Sequence, residues 1–182
     1  KKVVNEEYLE GYEISIHAFC DGNNFSLFTT SKDHKRKFEN DKGPNTGGIG
    51  VIAPVPGISQ KQLKEIKNKV ILPTIKALRR RNRPFVGILY PGIMLTKTGP
   101  KVIEFNGRFG DPEAQSYVRL LKTDLLDIML ACTKGDLNRL NIKWTKDSVC
   151  CIVCCSSGYP NRYEINKEIK GLDKRFDKNT VI

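Results

Sequence analysis

Two strand–turn–strand patterns constrain the fold of this 182-residue chain more than any other feature. Residues 13–30 contain an alternating polar and apolar run, a tight turn at 21–24 and a second strand-like run. Residues 85–106 repeat this arrangement around a turn at 97–100. Because a tight turn reverses the chain between neighbouring strands, each pattern predicts an antiparallel hairpin.

Helical periodicity and capping residues predict three helices between and after the hairpins. Ser59 is expected to cap an amphipathic helix that ends near Arg81 and that Pro73 kinks. Asp111 is expected to cap a second helix, which has a proline in its first turn, and a third helix begins at Asp124. The predicted helices cover residues 60–81, 112–121 and 124–134.

The remaining segments are predicted to be two short strands and a long loop. Strand-like runs cover residues 3–9 and 149–155, whereas residues 31–50 lack periodicity and end in a glycine-rich sequence. Long ordered loops inside compact domains are usually functional, so this loop is a candidate binding element. Hairpins and helices in this order predict an α+β fold with a largely antiparallel sheet and packed helices.

Composition and charge exclude some classes of protein. With 39% hydrophobic residues the chain can form a core, which argues against a disordered protein. No apolar run approaches the roughly 20 residues of a membrane-spanning helix, so no membrane partner is expected. The net charge of +11 suits either a polyanion-binding surface or a plain lysine-rich one.

A basic nucleic-acid-binding module is the main alternative from another functional class. Such a module would place aromatic side chains between basic groups, where they can stack on bases. In this chain the candidate aromatic residues lie among apolar strand residues instead; they are Phe85, Tyr90, Phe105 and Phe109. We therefore expect no nucleic-acid partner.

Four of the six cysteines lie in the run Cys150-Cys151-Ile152-Val153-Cys154-Cys155. Zinc ligands use the C-x-x-C spacing, but a tetrahedral site from one run needs a tight fold, and no glycine or proline is present to permit it. A buried strand is favoured, because buried cysteine acts as a small hydrophobic residue. With no secretory signal recognised, disulfides are not expected, and a reducing cytoplasmic location fits.

The strongest chemical signal is the segment Glu104-Phe105-Asn106-Gly107-Arg108. Residues two apart in a strand point to the same face, so Glu104 and Asn106 are expected side by side, with Ile103 and Phe105 turned toward the core. A carboxylate and an amide oxygen suit Mg²⁺, and Arg108 can neutralise an anion beside it. A structural ion pair between Glu104 and a lysine is the less favoured alternative.

Two other segments combine charge with glycine. Residues 33–37 (Asp-His-Lys-Arg-Lys) precede the glycine-rich residues 43–50. Cationic side chains beside accessible backbone N–H groups suit a phosphate or a carboxylate. Residues 6–13 place several carboxylates and a glycine at the entrance of the first hairpin. For both segments, an ordinary solvated charge run stays open as the alternative.

Residues 104–115 resemble the signature of the phosphoribosylamine–glycine ligases, also called glycinamide ribonucleotide synthetases, in the sequence Glu-Phe-Asn-Gly-Arg-Phe-Gly-Asp-Pro-Glu-Ala-Gln. Residues 33–36 and 43–50 resemble the other two motifs of that family, in the expected order. The resemblance covers roughly residues 3–171. The family belongs to the ATP-grasp superfamily.

The resemblance implies that residues 1–147 form the second half of an ATP-grasp domain and residues 148–182 the start of a C-terminal domain. The chain opens without methionine and enters strand-like sequence at once, so it is expected to be part of a longer protein. An N-terminal domain and a lid subdomain are expected upstream of Lys1. The isolated chain is therefore expected to bind nucleotide weakly and not to turn over.

The activity that the resemblance implies is the ATP-dependent joining of glycine to 5-phosphoribosylamine in de novo purine biosynthesis. A glycyl phosphate is the intermediate, and the products are glycinamide ribonucleotide, ADP and phosphate. ATP is the co-substrate, and Mg²⁺ or Mn²⁺ is the expected cofactor. The sequence leaves open whether the parent protein is fused to other purine-pathway enzymes.

The family's functional residues carry over position by position. The implied ATP-binding residues are Glu6, Glu7 and Leu9 at the adenine, Glu13 at the ribose and Lys35 at the transferring phosphate. The implied metal ligands are Glu104 and Asn106, and the implied catalytic residues are Arg108 and Lys35. The residues implied to position glycine and phosphoribosylamine are Asn45, Thr46, Gly47, Gly48 and Asp111.

One departure from the superfamily concerns the metal site. Many ATP-grasp enzymes carry a further carboxylate on the preceding strand, and that position corresponds here to about Gly92. The ion is thus expected to have fewer protein ligands and more water, and the number of ions stays open. Another ATP-grasp carboxylate–amine ligase and a catalytically silent fragment are the remaining alternatives.

Overall fold

The computed structural model describes residues 2–174 and 176–182. Its strands are β1 (Tyr12–Ser15), β2 (Ala18–Asp21), β3 (Phe25–Leu27), β4 (Lys32–Asp33), β5 (Arg36–Phe38), β6 (Lys42–Asn45), β7 (Gly50–Ala53), β8 (Val86–Thr96), β9 (Gly99–Asn106) and β10 (Val149–Ile152). Its helices are α1 (Gln60–Ile66), α2 (Leu72–Arg80), α3 (Glu113–Leu120) and α4 (Leu125–Lys134), with a 3₁₀ turn at Leu137–Arg139.

The long strand β8 organises the main five-stranded sheet. Strands β1 and β2 pair antiparallel with its two halves, β9 also pairs antiparallel with it, and β3 pairs with β2. Both predicted hairpins and the antiparallel α+β fold are therefore confirmed. The predicted strand at 13–19 is split at Ile16 and His17, because the facing residue Pro91 has no N–H to donate.

The segment 31–50, predicted to be one long loop, contains three short strands and the first residue of a fourth, β7. β4 and β7 form a small sheet with β10, and β5 pairs with β6. The connection between β5 and β6 places Asn40 and Asp41 at φ values of 57° and 59°. Asparagine and aspartate tolerate this left-handed conformation, which allows the sharp reversal of a hairpin. The loop prediction was wrong because this hairpin lacks hydrophobic alternation.

The predicted long helix is confirmed, with an interruption near Pro73. Ser59 accepts a hydrogen bond from the Gln62 backbone, and the Gln62 side chain accepts from Ser59 in return, which completes a capping box. A π-helical turn at Lys67–Ile71 separates α1 from α2. Proline lacks an N–H and its ring crowds the carbonyl four residues earlier, so a widened turn before Pro73 accommodates it.

The two predicted C-terminal helices are present, but the one cap predicted for them, Asp111, is wrong. Asp124 accepts hydrogen bonds from the backbones of Leu126 and Asp127, as expected of an N-cap. Asp111 is not a cap: α3 begins after Pro112, which makes no side-chain cap hydrogen bond. The peptide bond between Asp111 and Pro112 is cis. The side chain of Asp111 accepts instead from Gln115 Nε2, at 2.9 Å.

The main sheet separates two hydrophobic cores. The first packs α1 and α2 against one sheet face through Ile14, Ile16, Ala18, Cys20, Val55, Ile66, Val70, Ile71, Ile75, Leu89 and Ile93. The second packs α3 and α4 against the other face through Phe19, Phe28, Ile88, Tyr117, Ile128, Cys132 and Leu137. The alternation of Ile88 and Leu89 between the two cores follows from the period of two along a strand.

Two predicted strands near the chain ends differ from the structure. Residues 3–9 form no regular strand, and within the described residues no strand pairs with them. The strand at 149–155 is shortened to β10, which pairs with β7. Cys150, Cys154 and Cys155 are exposed, so the prediction of a buried cysteine strand was wrong. Among the described residues, none of the helices has both the length and the apolar character of a membrane span.

Candidate functional site

The side chains of Glu104 and Asn106 lie together at the end of β9, as predicted. Asn106 Nδ2 donates a hydrogen bond to Glu104 Oε1 at 3.0 Å. Glu104 is exposed and Asn106 half-buried, so both are open to a ligand. Gly92 pairs with Glu104 in the ladder between β8 and β9. A glycine therefore lies beside Glu104 at the position where many ATP-grasp enzymes carry a further carboxylate.

A β-bulge decides which face of the sheet this pair occupies. Ile93 pairs with Val102, and Gly92, the residue before it in β8, pairs with Glu104. Ile103 therefore has no partner and is the extra residue of the bulge. Paired residues of antiparallel strands point to the same face. Val102 therefore packs against the core beneath α1 and α2, and Glu104 points to the opposite face.

The prediction that Ile103 and Phe105 are buried against the core was wrong. Ile103 is 39% exposed and Phe105 is 50% exposed. β9 is an edge strand that pairs only with β8 among the described strands, so these two side chains meet little protein beyond the sheet.

Arg108 follows the pair and contacts it. Its guanidinium donates to Asn106 Oδ1 at 3.4 Å and to the carbonyl oxygen of Phe109 at 2.8 Å. The side chain is exposed, so its remaining N–H groups are available to an anion. The three residues of the strongest sequence motif thus form one continuous polar group.

Lys35 and Glu13 form an ion pair on the same side of the sheet. Burial lowers the pKa of Lys35, but the hydrogen bond and charge of Glu13, with the charges of Asp33 and Glu104, outweigh it and raise that pKa. Lys35 therefore stays cationic near neutral pH. The structure thus brings together Lys35 and Glu13, which sequence separates by 22 residues.

The remaining predicted ATP-binding residues line one surface cavity. This cavity has a volume of about 360 Å³ and is lined by Glu6, Glu7, Tyr8, Leu9, Glu13, Met94, Lys101, Val102 and Ile103. Glu7 Oε2 lies 3.2 Å from Lys101 Nζ, which ties the irregular N-terminal segment to β9. A larger hollow between α1 and the β8–β9 turn contains none of the predicted site residues, so we assign no role to it.

The glycine-rich segment is anchored to Lys35 through its backbone. Thr46 donates to the Lys35 carbonyl oxygen from its N–H at 2.6 Å and from its hydroxyl at 2.8 Å. The N–H of Gly48 donates to Thr46 Oγ1 at 3.2 Å, and the N–H of Gly47 donates to the hydroxyl of Tyr159 at 2.9 Å. Of the predicted substrate-positioning residues, Thr46 therefore contacts Lys35 directly and Gly48 is linked to it through Thr46.

Gly48 lies where no other residue fits. A Cβ at this position would lie 2.6 Å from Pro112 Cδ and 2.9 Å from Asp33 Oδ1, and its φ is +108°. The missing side chain allows the glycine-rich segment to approach the Asp111–Pro112 segment closely. Asn45 and Asp111 are exposed, and their described hydrogen bonds do not join them to the other site residues.

Sequence reasoning missed Asp33 as an individual site residue. Its Oδ1 is buried and has no hydrogen-bond partner among the described residues. Burial and the nearby charge of Glu113 raise the pKa of Asp33 to about 7, against the opposing effect of Lys35. The only sequence signal was its place in the charged run before the glycine-rich segment.

A buried carboxylate beneath the site was also missed. Glu113 is 2% exposed, and its Oε1 accepts from Ser15 Oγ and from the Tyr90 hydroxyl, each at 2.7 Å. Burial, followed by the charge of Glu113, raises the pKa of Tyr90 well above its usual value. The Tyr90 hydroxyl therefore stays protonated and donates a hydrogen bond to the Glu113 carboxylate.

A divalent cation fits the chemistry of the exposed pair. Glu104 supplies a carboxylate and Asn106 an amide oxygen, both hard ligands. No group of three or more His, Cys, Asp or Glu side chains arranged for a metal ion occurs in residues 2–174 and 176–182. A cation at this position would therefore complete its coordination with water or ligand oxygens.

Comparisons with known proteins agree with this geometry. Residues 1–114 match the family model described as phosphoribosylglycinamide synthetase, ATP-grasp (A) domain. A phosphoribosylamine–glycine ligase from Caldanaerobacter subterraneus is 48% identical over 94% of this chain and 41% of its own length. The bifunctional purine biosynthetic protein ADE1 of Schizosaccharomyces pombe is 47% identical over 100% of this chain and 23% of its own length.

A solved structure extends the comparison to three dimensions. The crystal structure of phosphoribosylamine–glycine ligase from Thermotoga maritima superposes with a TM-score of 0.79 at 31% identity, over 87% of this chain and 40% of that one. The chain thus spans less than half the length of these relatives. By the match over residues 1–114, which is more than half of its length, the chain belongs to the phosphoribosylglycinamide synthetase ATP-grasp domain family.

Proposed function

We propose that the protein carrying this chain joins glycine to 5-phosphoribosylamine at the expense of ATP, giving glycinamide ribonucleotide, ADP and phosphate in purine biosynthesis. The observation that carries the proposal is the continuous group formed by Glu104, Asn106 and Arg108, with Lys35 on the same side of the sheet. Membership of the family supports the choice of reaction.

The nucleotide is proposed to lie in the cavity beside the N-terminal segment. Main-chain groups around Glu6, Glu7 and Leu9 would bind the adenine, and Glu13 would accept hydrogen bonds from the ribose hydroxyls. These residues line one cavity, which supports this assignment. Lys35, adjacent to Glu13, would then face the phosphates.

ATP-grasp ligases use ATP with a divalent metal ion, and for this protein we propose Mg²⁺ or Mn²⁺ held by Glu104 and Asn106. When bound, the ion would neutralise phosphate charge and orient the terminal phosphoryl group. Gly92 offers no further carboxylate, so two protein ligands are proposed.

The chain's own residues would act mainly by position and charge. A carboxylate oxygen of glycine attacks the terminal phosphorus of ATP, and ADP leaves. The phosphoribosylamine nitrogen then attacks the carbonyl carbon of glycyl phosphate, and phosphate leaves. Lys35 would offset charge on the transferring phosphoryl group, and Arg108 on the acyl phosphate. Neither step requires a nucleophile from the protein.

Substrate positioning is proposed for the two segments that meet at Gly48. Thr46 contacts Lys35, and the close approach of Gly48 to Pro112 supports a pocket for glycine and phosphoribosylamine that Gly47 also adjoins in the chain. Asn45 and Asp111 are proposed as its exposed rim.

We infer a wider context from the chain's partial coverage of its relatives. Residues 1–147 are proposed as the second half of the ATP-grasp domain, and residues 148–182 as the start of a C-terminal domain. Free cysteines at all six positions support a reducing compartment, for which we propose the cytoplasm. Fusion to other purine-pathway enzymes, as in a bifunctional relative, is proposed as an option for the parent protein.

The direct test is the variant Glu104→Gln in the full-length protein. The variant removes the negative charge of one proposed metal ligand, at a site that would stabilise the charge of the transition state. It is therefore expected to lower kcat by roughly 100-fold or more. Glu65→Gln, at an exposed helical ion pair with Lys69, is the matched control and is expected to keep wild-type activity. Wild-type turnover by a folded Glu104→Gln protein would refute the proposal.

A second candidate function is another ATP-grasp ligase that joins a different carboxylate to an amine. The polar group formed by Glu104, Asn106 and Arg108 suits acyl-phosphate chemistry with any small carboxylate, and the fold does not identify which one is used. Competition between glycine and other small carboxylates in an ADP-release assay separates the two candidates. Preference for glycine supports the first, and a preferred competitor the second.

A further inference from the structure

A buried histidine lies beneath the segment that carries Arg108. His17 has no exposed surface, and its Nε2 accepts a hydrogen bond from the Gly110 N–H at 3.1 Å. Its Nδ1 lies 2.9 Å from the Tyr117 hydroxyl, and its ring stacks on Tyr90 with 3.9 Å between centroids. The roles assigned above to ATP, metal and substrate residues make no use of this histidine.

The partners of His17 determine its tautomer. The backbone N–H of Gly110 can only donate, so Nε2 must offer a lone pair. A neutral ring then carries its proton on Nδ1 and donates it to the Tyr117 hydroxyl, which is 2.7 Å from Ser31 Oγ. Burial, assisted by the charge of Arg108, lowers the pKa of His17 to about 3, so the ring is neutral near pH 7.

The Glu113 carboxylate lies close to Gly110 on a second side. A Cβ at Gly110 would collide with the Glu113 carboxylate, which Ser15 and Tyr90 hold in place. The Gly110 carbonyl also accepts the first backbone hydrogen bond of α3, from Ala114 at 3.0 Å. Gly110 is thus held by His17 at its N–H and by α3 at its carbonyl, and the Glu113 carboxylate leaves no room for a side chain there.

Only Phe109 separates Gly110 from Arg108. A buried backbone N–H without an acceptor costs free energy, so loss of Nε2 would favour a displaced segment in which that N–H reaches water. Such a displacement would carry Arg108 away from Asn106, which it contacts at 3.4 Å.

We propose that His17 is a positioning residue, whose neutral Nε2 holds Gly110 and thereby keeps Arg108 beside the Glu104–Asn106 pair. Since a misplacement of about 1 Å can cost roughly 100-fold in rate, the effect is expected on kcat rather than on nucleotide binding. The expected effect on kcat rests on the proposed function. The expected anchoring of Gly110 rests only on its hydrogen bond to His17 Nε2.

Three substitutions separate the two ring nitrogens in the full-length protein. His17→Gln places an amide oxygen near the position of Nε2 and can still accept from Gly110. His17→Asn reaches only the position of Nδ1. His17→Phe keeps an aromatic ring against Tyr90 and removes both polar atoms. Ser31→Ala is the control, because it removes the hydrogen bond between Ser31 and the Tyr117 hydroxyl and leaves the His17 Nε2 atom in place.

The first readout is steady-state kinetics with thermal unfolding as a check of folding. We expect His17→Phe and His17→Asn to lose roughly 10- to 100-fold in kcat with KM for ATP changed less than about threefold. His17→Gln and Ser31→Ala should stay within about threefold of wild type in kcat. Wild-type kcat in folded His17→Phe, or equal loss in His17→Gln and His17→Asn, would overturn the inference.

The second readout is hydrogen–deuterium exchange in peptides that cover residues 107–111. Exchange should quicken in His17→Phe and stay at the wild-type rate in His17→Gln. This measurement needs no ligase activity, so it tests the anchoring of Gly110 even if the wild-type protein fails the glycine assay. Unchanged exchange in a folded His17→Phe protein would show that His17 does not hold the segment.

Discussion

Asp33 is a carboxylate placed where a neutral group would be more stable. Its Oδ1 is buried without a partner among the described residues, and the charge of Glu113 is nearby. The pKa is raised from 3.8 to about 7, so the folded protein binds this proton more tightly than the unfolded chain does. Between pH 4 and pH 7 the stability contribution of Asp33 therefore falls as pH rises.

Replacing Asp33 with asparagine is expected to stabilise the protein at pH 8 and to change little at pH 4. At pH 8 the folded wild type must hold a charged carboxylate, whereas at pH 4 it holds a protonated one and the unfolded chain is near its own midpoint of 3.8. We expect a gain of about 1–3 kcal/mol at pH 8, measured by urea unfolding at the two pH values.

The exposed Asp147→Asn variant provides the control for the Asp33 measurement. It removes the same charge without relieving a buried carboxylate, and it should show no comparable dependence on pH. A stability difference for Asp33→Asn that is equal at pH 4 and pH 8 would contradict the assignment of the raised pKa.

Gly48 joins two segments of the site and should not tolerate alanine. The substitution adds backbone strain at φ +108° and a collision with Pro112 and Asp33. Gly57→Ala is the control, because its φ is also positive, +80°, but nothing lies within 4 Å of the added Cβ. Thermal unfolding and turnover should show a loss near 1 kcal/mol for Gly57→Ala, with activity retained.

For Gly48→Ala the same measurements should show a larger loss of stability together with a loss of turnover. The excess over Gly57→Ala measures the steric contact, since the strain at positive φ is common to both variants. Equal behaviour of the two variants would mean that the approach to Pro112 has no functional role.

At the scale of elements, sequence predicted what neighbouring residues determine. The capping of α1 by Ser59 and the start of α4 near Asp124 depend on residues within three positions, and both were predicted. The contact of Glu104 with Asn106 depends on a spacing of two. Local spacing was thus sufficient for the centre of the site.

Sequence did not predict contacts that depend on how distant elements pack. Residues 93 positions apart form the His17–Gly110 hydrogen bond, and residues 98 apart form the Ser15–Glu113 one. In sequence, His17 is one polar residue of an alternating polar and apolar run. His17 is buried because α3 covers its face of the sheet, and the residues near His17 in sequence do not indicate this packing.

The bulge at Ile103 was also beyond sequence, and it has a testable consequence. It allows Val102 to pack in the core while Glu104, two positions later, faces the site. Deleting Ile103 should leave both residues opposite their present partners in β8, because the extra residue of a bulge has no partner of its own. We expect the deletion variant to fold and to retain measurable turnover.

Deleting Phe105 instead is the matched comparison on the same exposed edge strand. This deletion shifts Asn106 by one position relative to β8 and turns its side chain to the opposite face. Turnover should fall by roughly 100-fold or more. If circular dichroism shows both variants folded and they lose activity equally, the bulge does not determine the placement of the pair.

At the scale of the whole molecule, the sheet holds its two cores on opposite faces and presents the site along the β9 edge. Helices α1 and α2 stabilise one face, while α3 and α4 bury the polar residues beneath the Arg108 segment on the other. The proposed nucleotide cavity lies at an open end of this arrangement, where Glu6, Glu7 and Tyr8 are exposed.

The openness of that cavity predicts how the chain behaves alone. The chain spans 41% of its Caldanaerobacter relative, so further parts of the protein are proposed to cover the nucleotide. Because affinity depends on desolvated contacts, we expect the 182-residue chain to bind ATP at least about tenfold more weakly than the full-length protein. Isothermal titration with Mg²⁺ present measures this, after circular dichroism has established that the chain folds. ADP release with glycine and phosphoribosylamine should be absent, and turnover near the full-length rate would mean that these residues form a complete site.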